Sequence, residues 1–383
     1  MIPYSTQDID TSDIQAVTKS LRSGWLTQGP AVETFEKAIA EKVSQKYAVA
    51  FNSGTAALHA AYFAAGINKG DEVIVPALTF AATANAALYL GAKPIFADSL
   101  QTGNMDPDSA EKKISKKTKA IIPVDYTGRP ADMRAFQKLA RKYKLVLIED
   151  AAQSLGADYH GKPVGQHADM TMFSFHPVKS ITTGEGGIIV TNNKKYDILL
   201  RLFRSHGITK DPNLFIPQEK TEVKAGWYQE MQMLGFNYRM PDMCAALGTS
   251  QLKRLDTFIA KRRAAAELYH KLLADIPNLI LPHPESSYEK SAWHLYAIRL
   301  APSIAHKRDE VFAKLREEGI GAQVHHIPVY THPYYKKLGY KKGLCPHTEA
   351  FVSSEISIPL FAKITPKQQK FIAETLRNII ANI

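Results

Sequence analysis

At 383 residues the chain exceeds what one hydrophobic core usually fills, so it has room for two domains, and its 45% hydrophobic and 22% charged residues are ordinary for a globular enzyme. It carries no run of the roughly 18 apolar residues that a membrane span needs and no basic-then-apolar opening, and two cysteines are too few for a disulfide framework or a thiolate metal cluster, so a soluble, cytoplasmic protein with no membrane partner is expected. A net charge of +11 draws anions such as phosphates, but the basic residues are spread along the chain rather than massed in a block, which argues against nucleic acid as a partner.

Ile14, Val17 and Leu21 behind Thr11-Ser12-Asp13 predict a first helix over residues 11–23, with Gly24 as its stop. The loop Gly24-Trp25-Leu26-Thr27-Gln28-Gly29-Pro30 suits a ligand-facing loop and a plain connector equally. Val32, Phe35, Ile39 and Val43 place a second helix over residues 32–44. From there strands and helices alternate. The strand Tyr47–Phe51 leads into Asn52-Ser53-Gly54-Thr55 and then into helix-forming residues 56–63. Such a turn offers unpaired N–H groups and a positive dipole end to a phosphate, while serine and threonine there are also ordinary N-caps.

Glu72–Pro76 is the next strand, and residues 79–85 open the helix behind it. Phe80 therefore falls at the carboxyl edge of the sheet, where open α/β sheets bind ligands and where a phenylalanine can also be core. Strands follow at 94–98, 120–125 and 145–150, with helical spacing between them around 107–114 and 131–143. This pattern is an α/β fold with a largely parallel sheet covered on both faces. The third of these strands ends in Glu149-Asp150-Ala151-Ala152-Gln153-Ser154, where Asp150 is a carboxylate held at the ligand edge or a helix cap.

The stretch Met172-Phe173-Ser174-Phe175-His176-Pro177-Val178-Lys179-Ser180-Ile181-Thr182-Thr183-Gly184-Glu185-Gly186-Gly187 organises the chain. It delivers one lysine, Lys179, from a buried-type strand into a hydroxyl-rich segment closed by glycines, after which Ile188–Thr191 resumes strand character. A lysine in such a place is paired, neutral or covalently bound, and a Schiff base with an aldehyde cofactor is one use of it; a surface lysine at a strand end fits the segment as well. A helix runs from Lys194 to His206, and residues 208–232 form a long excursion. Gly235-Phe236-Asn237-Tyr238-Arg239-Met240-Pro241-Asp242 then precedes one long helix over residues 243–273.

Beyond it come a strand at 293–300, a helix at 308–317, a strand-like segment at 321–326, a proline- and tyrosine-rich loop at 327–340 and a helix at 366–380. The expected organisation is a large α/β domain over residues 1–250 and a small C-terminal α+β domain over 251–383. Adjacent His325 and His326 in a strand point to opposite faces, and no metal site is expected. No dinucleotide or P-loop pattern follows a strand.

Taken together, Ser53-Gly54-Thr55, Phe80, Glu149–Gln153, Ser174-Phe175-His176 with Lys179, Gly184–Gly187 and Gly235–Arg239 resemble the nucleotide-sugar aminotransferases of the DegT/DnrJ/StrS family, over essentially the whole chain. The resemblance implies pyridoxal-phosphate fold type I, the aspartate aminotransferase-like architecture, with pyridoxal 5'-phosphate as cofactor. It implies that Lys179 forms the Schiff base and later carries the proton, that Asp150 pairs with the pyridine nitrogen, that Gln153 bonds the ring's phenolic oxygen, and that Phe80 stacks on the ring. Gly54, Thr55 and Ser174 match the phosphate cradle, and Asn237 matches a residue that reaches the phosphate from a neighbouring subunit, which implies a homodimer with shared active sites.

Within the family, residues 24–29, 176–183 and 322–330 resemble members that act in pseudaminic-acid biosynthesis. This implies amino transfer from glutamate to the C4 ketone of a UDP-linked 4-keto-6-deoxy-N-acetylhexosamine of L-altro configuration, with Thr27, His176, His325 and Tyr330 near the sugar. His326 stands where such enzymes often carry tyrosine. Relatives with histidine in place of the lysine are dehydratases; here Lys179 is present, and His176 is a separate residue. Another keto nucleotide sugar, or a catalytically silent sugar-binding homologue, fits the same motifs.

Overall fold

The computed structural model describes residues 1–216 and 226–383, so part of the excursion expected over 208–232 lies outside the described residues. Seven strands make the central sheet: β1 (Tyr47–Phe51), β2 (Glu72–Pro76), β3 (Lys93–Ala97), β4 (Thr118–Ile121), β5 (Val146–Asp150), β6 (Met170–Ser174) and β7 (Gly187–Thr191). Their spatial order is β1-β7-β6-β5-β4-β2-β3. The four pairings from β6 to β3 are parallel, and only β7 runs against its neighbours. Residues alternate between the two faces with the strand period of two: Val49 and Ile189 join one apolar cluster, while Ala48, Ala50, Ile188 and Val190 join the other.

The antiparallel direction of β7 determines where Lys179 can sit. A parallel partner for β6 would need a helical crossover, whereas an antiparallel one can be reached through a loop at the same end of the sheet. Residues 175–186 are that loop, and Lys179 lies in it. It is tied down by Phe175 N–H donating to Gly186 O (2.9 Å), Thr183 N–H donating to Phe175 O (3.0 Å) and Lys179 N–H donating to His176 O (2.9 Å).

Helices pack around the central sheet and a smaller C-terminal one, among them α1 (Thr11–Arg22), α2 (Pro30–Lys42), α3 (Gly54–Ala64), α4 (Ala81–Tyr89), α5 (Met133–Tyr143), α6 (Lys194–Arg204), α7 (Asp242–Leu252), α8 (Leu255–Leu273), α9 (Arg308–Glu317) and α10 (Pro366–Ala381). α3, α4 and α6 supply Leu58, Ala84 and Phe203 to one sheet face, and α2 supplies Phe35 and Ile39 to the other. The C-terminal part has its own antiparallel sheet, β8 (Leu279–Ile280), β9 (Tyr296–Leu300) and β10 (Glu355–Ile358), in that order. Tyr269, Ile298, Leu315, Ile356 and Leu376 centre its core. Helix α8 begins in the large core with Leu255 and Phe258 and ends in the small one with Ala266 and Leu273.

Several expectations change. The single helix over 243–273 is two helices, broken at Lys253 and Arg254. Arg254 is drawn onto the N-terminal segment, donating to Asp8 O (3.0 Å) and pairing with Asp10 (2.9 Å) and Asp13. The same pull explains why α1 buries Asp13 rather than its apolar stripe: Gln251 also donates to Asp13 (2.6 Å), and Ile14 and Leu21 stay 60% and 52% exposed.

Strand β9 starts at Tyr296, not Trp293, because His294 N–H donates to Thr127 O (2.8 Å). The strand-like 321–326 is no strand: Gln323 makes one bridge to Ser357, and His325 N–H then turns to the Glu355 carboxylate (3.0 Å). The helix at Pro346–Ser354 and strand β10 were not anticipated. Among the described residues no helix is long and apolar enough to cross a membrane.

Candidate active site

The parallel strands of the sheet end at the same edge, and turns beyond several of those ends enclose a cavity of about 540 Å³. It is lined by Ser53, Gly54 and Thr55 at the start of α3, by Phe80 and Thr83 at the start of α4, by Asp150 and Gln153 after β5, and by Ser174, His176 and Lys179 after β6. The C-terminal part of the chain closes it with His294, His325 and His326, and Tyr4 approaches from the N-terminus.

Lys179 is half-buried, and its amine is pushed down from the ordinary lysine range to about 8. Burial is the main cause and the Arg262 guanidinium adds to it, while the Asp150 carboxylate acts in the opposite direction. Arg262 is itself 2% exposed and is held by the carbonyls of His294 (3.2 Å) and Leu360 (3.0 Å), so it is a fixed positive charge. Asp150 accepts from Thr83 Oγ1 (2.7 Å) and from Ala152 N–H (3.2 Å). Its pKa is raised, because burial outweighs those bonds and the attraction of Lys179. A buried carboxylate of this kind gains from a cationic partner.

Gln153 accepts Thr127 N–H at its carbonyl Oε1 (2.7 Å), which leaves its NH₂ to donate elsewhere. Ser53 caps α3 through Ala56 N–H (3.1 Å), and the N–H groups that open a helix have no partner within it. The backbone is crowded here: a Cβ at Gly54 would meet the Ser174 Cβ at 3.2 Å, and one at Gly187 would meet Ser53 O and Gly54 N at 2.6 and 2.7 Å. Glycine at these two places lets β6, β7 and the start of α3 converge, forming a cradle for a small anion. A depression of similar size, about 570 Å³, lies between α2 and α6, but there the arginines Arg201 and Arg204 are already paired with Glu36.

The structure brings Gly54, Thr55, Phe80, Asp150, Gln153, Ser174 and Lys179 to this one cavity, with His176 and His325. Phe80 stands 62% exposed at its mouth, its ring 5.7 Å from that of His326. Tyr330 does not line the cavity: it is fully buried against Phe96, and its hydroxyl donates to Glu349 (2.6 Å). Thr27 is exposed and bridges Pro241 outside the cavity. Asn237 is exposed and lies outside it too, although the carbonyl of its neighbour Tyr238 accepts Asn52 N–H (2.9 Å) beside the cradle. His325 and His326, expected on opposite faces, have ring centres 5.0 Å apart and both line the cavity, because their segment is not a strand. Burial and the nearby Lys179 push them down to about 4 and about 3, so both are neutral at neutral pH.

Two residues went unnoticed in the sequence. Thr83 fixes Asp150, and the Thr79-x-x-x-Thr83 spacing at a helix start could have revealed it, since the two hydroxyls meet at 2.8 Å. His294 is 3% exposed with Nδ1 unpartnered beside the cavity, and nothing local in the sequence marks it.

The donor set can be tested against pyridoxal 5'-phosphate. A depressed amine, a buried carboxylate, an amide with free N–H groups, an exposed aromatic face and a glycine cradle at a helix start are the groups that such an aldehyde, pyridine nitrogen, phenol, ring and phosphate need, and they share one cavity.

Comparison with known proteins bears on the same point. A UDP-4-amino-4,6-dideoxy-N-acetyl-beta-L-altrosamine transaminase of Campylobacter jejuni (serotype O:23/36, strain 81-176) is 42% identical over 386 aligned residues, which cover 100% of this chain and 98% of that protein. The solved structure of Helicobacter pylori PseC, an aminotransferase involved in the biosynthesis of pseudoaminic acid, superposes with a TM-score of 0.93 at 34% identity, covering both chains fully. The PLP form of a sugar aminotransferase described as putative, Spr1654 of Streptococcus pneumoniae, superposes with a TM-score of 0.92 at 30% identity, covering 100% of this chain and 99% of that one. With the aminotransferase family description matching residues 7–377 and the lysine, carboxylate and cradle gathered at one sheet edge, the chain belongs to the DegT/DnrJ/EryC1/StrS aminotransferase family.

Proposed function

We propose that this aminotransferase uses pyridoxal 5'-phosphate to move an amino group from glutamate to the C4 ketone of a UDP-linked 4-keto-6-deoxy-N-acetylhexosamine of L-altro configuration, a step of pseudaminic-acid biosynthesis. The observation that carries the reading is the depressed amine of Lys179 in one cavity with Asp150, in a chain that is similar along its full length to transaminases named for that product. When bound, the cofactor would supply an electron sink for the electron pair left when the donor's α-carbon loses its proton. Lys179 holds the cofactor and, with its amine lowered to about 8, takes and returns the proton at the substrate carbon. Asp150, oriented by Thr83, keeps the ring nitrogen protonated, and Gln153, oriented by Thr127, donates to the phenolic oxygen. Gly54, Thr55 and Ser174 receive the phosphate, and Phe80 covers the ring.

We place the enzyme in the cytoplasm as a homodimer in which Asn237 reaches the other subunit's phosphate. The exposed Leu234 and Phe236 beside exposed Asn237 support the dimer, and a monomeric mass in sedimentation would overturn it. The deciding experiment incubates the purified protein with glutamate and a panel of keto nucleotide sugars and reads the product by NMR. A 4-amino L-altro product supports the reading. A product of D configuration, or one aminated at C3, moves the chain to another sugar, and no amination of any member rejects the function.

The cradle gives a second check. Alanine at Gly187 would drive its Cβ into backbone on the start of α3, where no flexible side chain can yield. The overpacking amounts to roughly 1–3 kcal/mol, so Gly187→Ala is expected to weaken cofactor binding by about tenfold or more in a fluorescence titration. Unchanged affinity would remove Gly187 from the account.

A further inference from the structure

Behind the cavity wall lies a chain of hydrogen bonds that transamination at Lys179 does not use. Glu355 sits on β10, fully buried, and Ser357 follows two residues later on the same face of that strand. The Glu355 Oε2 accepts His325 N–H (3.0 Å), Ser357 Oγ lies 2.5 Å from Glu355 Oε1, and the His325 Nδ1 lies 3.0 Å from Ser357 Oγ. The His325 carbonyl accepts the Tyr126 hydroxyl, so the residue is anchored on both sides of its backbone. Its ring lines the cavity, and Nε2 has no partner among the described residues.

A hydroxyl carries one proton, which gives the chain two states. With Glu355 ionised, Ser357 donates to the carboxylate and must accept at its oxygen, so His325 carries its hydrogen on Nδ1 and presents Nε2 as an acceptor. With Glu355 protonated, the carboxyl donates to Ser357 Oγ, the hydroxyl turns to donate to Nδ1, and the hydrogen of the neutral ring moves to Nε2. The net change is one proton taken up at the carboxyl, with the two hydrogen bonds reversed and the imidazole still neutral.

We propose that Glu355 and Ser357 are positioning residues that decide whether His325 offers a hydrogen-bond donor or an acceptor to the polar face of the keto sugar, and that the choice is set by protonation of Glu355. The proposal rests on the sugar-aminotransferase reading for its substrate, not for its hydrogen-bond chain. Burial raises Glu355 to about 8 against the pull of Ser357, His325 N–H and the Arg308 guanidinium, so the exchange falls close to neutrality. The other groups facing the chain are the neutral phenol of Tyr126, Arg299 paired across the sheet on β9, Lys179 in the cavity, the phenol of Tyr4 and the neutral rings of His294 and His326. None of them is a carboxylate that could replace Glu355.

The test follows the ring nitrogens of His325 by 15N NMR in the purified enzyme between pH 6 and about 9.5, assigned by loss of signal in His325→Asn. Wild type is expected to pass from hydrogen on Nε2 to hydrogen on Nδ1 as pH rises. Glu355→Gln should hold the Nε2–H form throughout, because its carbonyl accepts His325 N–H and its NH₂ donates to Ser357 as the protonated acid does. Ser357→Ala should uncouple the ring from pH, and it serves if the glutamine variant does not fold. In turnover, the KM for the keto sugar should change severalfold with pH in wild type and be flat in Glu355→Gln, with the glutamate half-reaction following the same pH profile in both. A fixed tautomer in wild type, or a switch that survives in Glu355→Gln or Ser357→Ala, overturns the proposal. Failure to aminate any keto sugar would reject the proposed function while leaving the NMR result to stand alone.

Discussion

Lys179→Ala is expected to leave no measurable amino transfer, with kcat down by at least about 10⁴-fold, because the proposed reading has one amine both hold the cofactor and carry the proton. The protein should also lose its visible cofactor absorbance, and borohydride should label no side chain in the variant. Retained turnover, or labelling of a different lysine in wild type, would end the enzyme reading and favour a silent sugar-binding homologue. The same residue makes a prediction of opposite sign for stability. Its folded pKa of about 8 lies below the roughly 10.4 of an unfolded lysine. Between those values the unfolded chain binds more protons, so stability rises with pH across that window.

Below about pH 8 the whole penalty for a charged amine is present. Lys179→Met should therefore stabilise the cofactor-free protein at neutral pH by on the order of 2 kcal/mol once solvent screening is allowed for, and the gain should vanish above about pH 10.5. Thermal unfolding of the two proteins at pH 7 and pH 10.5 measures it. An equal or lower Tm for the variant at pH 7 would mean that the amine is not desolvated.

Asp150→Asn is the second large effect. The asparagine carbonyl can still accept from Thr83 Oγ1, which now bonds Asp150 at 2.7 Å, so the fold should survive. What disappears is the negative charge proposed to keep the ring nitrogen protonated. Loss of a buried, charge-assisted contact is worth roughly 3–5 kcal/mol, so kcat should fall by about 10² to 10⁴ with the cofactor still bound. Asp150→Glu is expected to recover little of the rate, because the site is set to a fraction of an ångström by Thr83 and Ala152 N–H. A variant with wild-type kcat would show that Asp150 serves only as the cap of the turn after β5.

Much of the site was legible because its residues sit in strand ends and turns with strong local signatures. Lys179, Asp150, Gln153, Phe80 and the Ser53-Gly54-Thr55 turn each follow a run of apolar residues, and a largely parallel sheet gathers such positions along one edge. Tyr330 shows the limit of that reasoning. It lies only five residues from His325, yet its ring is drawn into the core by Phe96 and its hydroxyl by Glu349, partners far away in the chain. The break between α7 and α8 has the same character: the local pattern is continuous, but Arg254 is captured by three aspartates from the N-terminal segment.

What the amino-acid order determined without help was the alternation of strands and helices, the edge at which the cavity lies and the place of Lys179 at that edge, because these depend on periodicity and on neighbours a few positions apart. What tertiary structure alone decided was the share of the cavity that comes from the C-terminal part of the chain. His294, His325 and His326 face Lys179, and Glu355 and Ser357 stand behind His325, through contacts between segments that no local pattern pairs. Side chains so distant in sequence meet only once both cores have packed, and the pKa of each buried group is set by that packing rather than by its place in the chain.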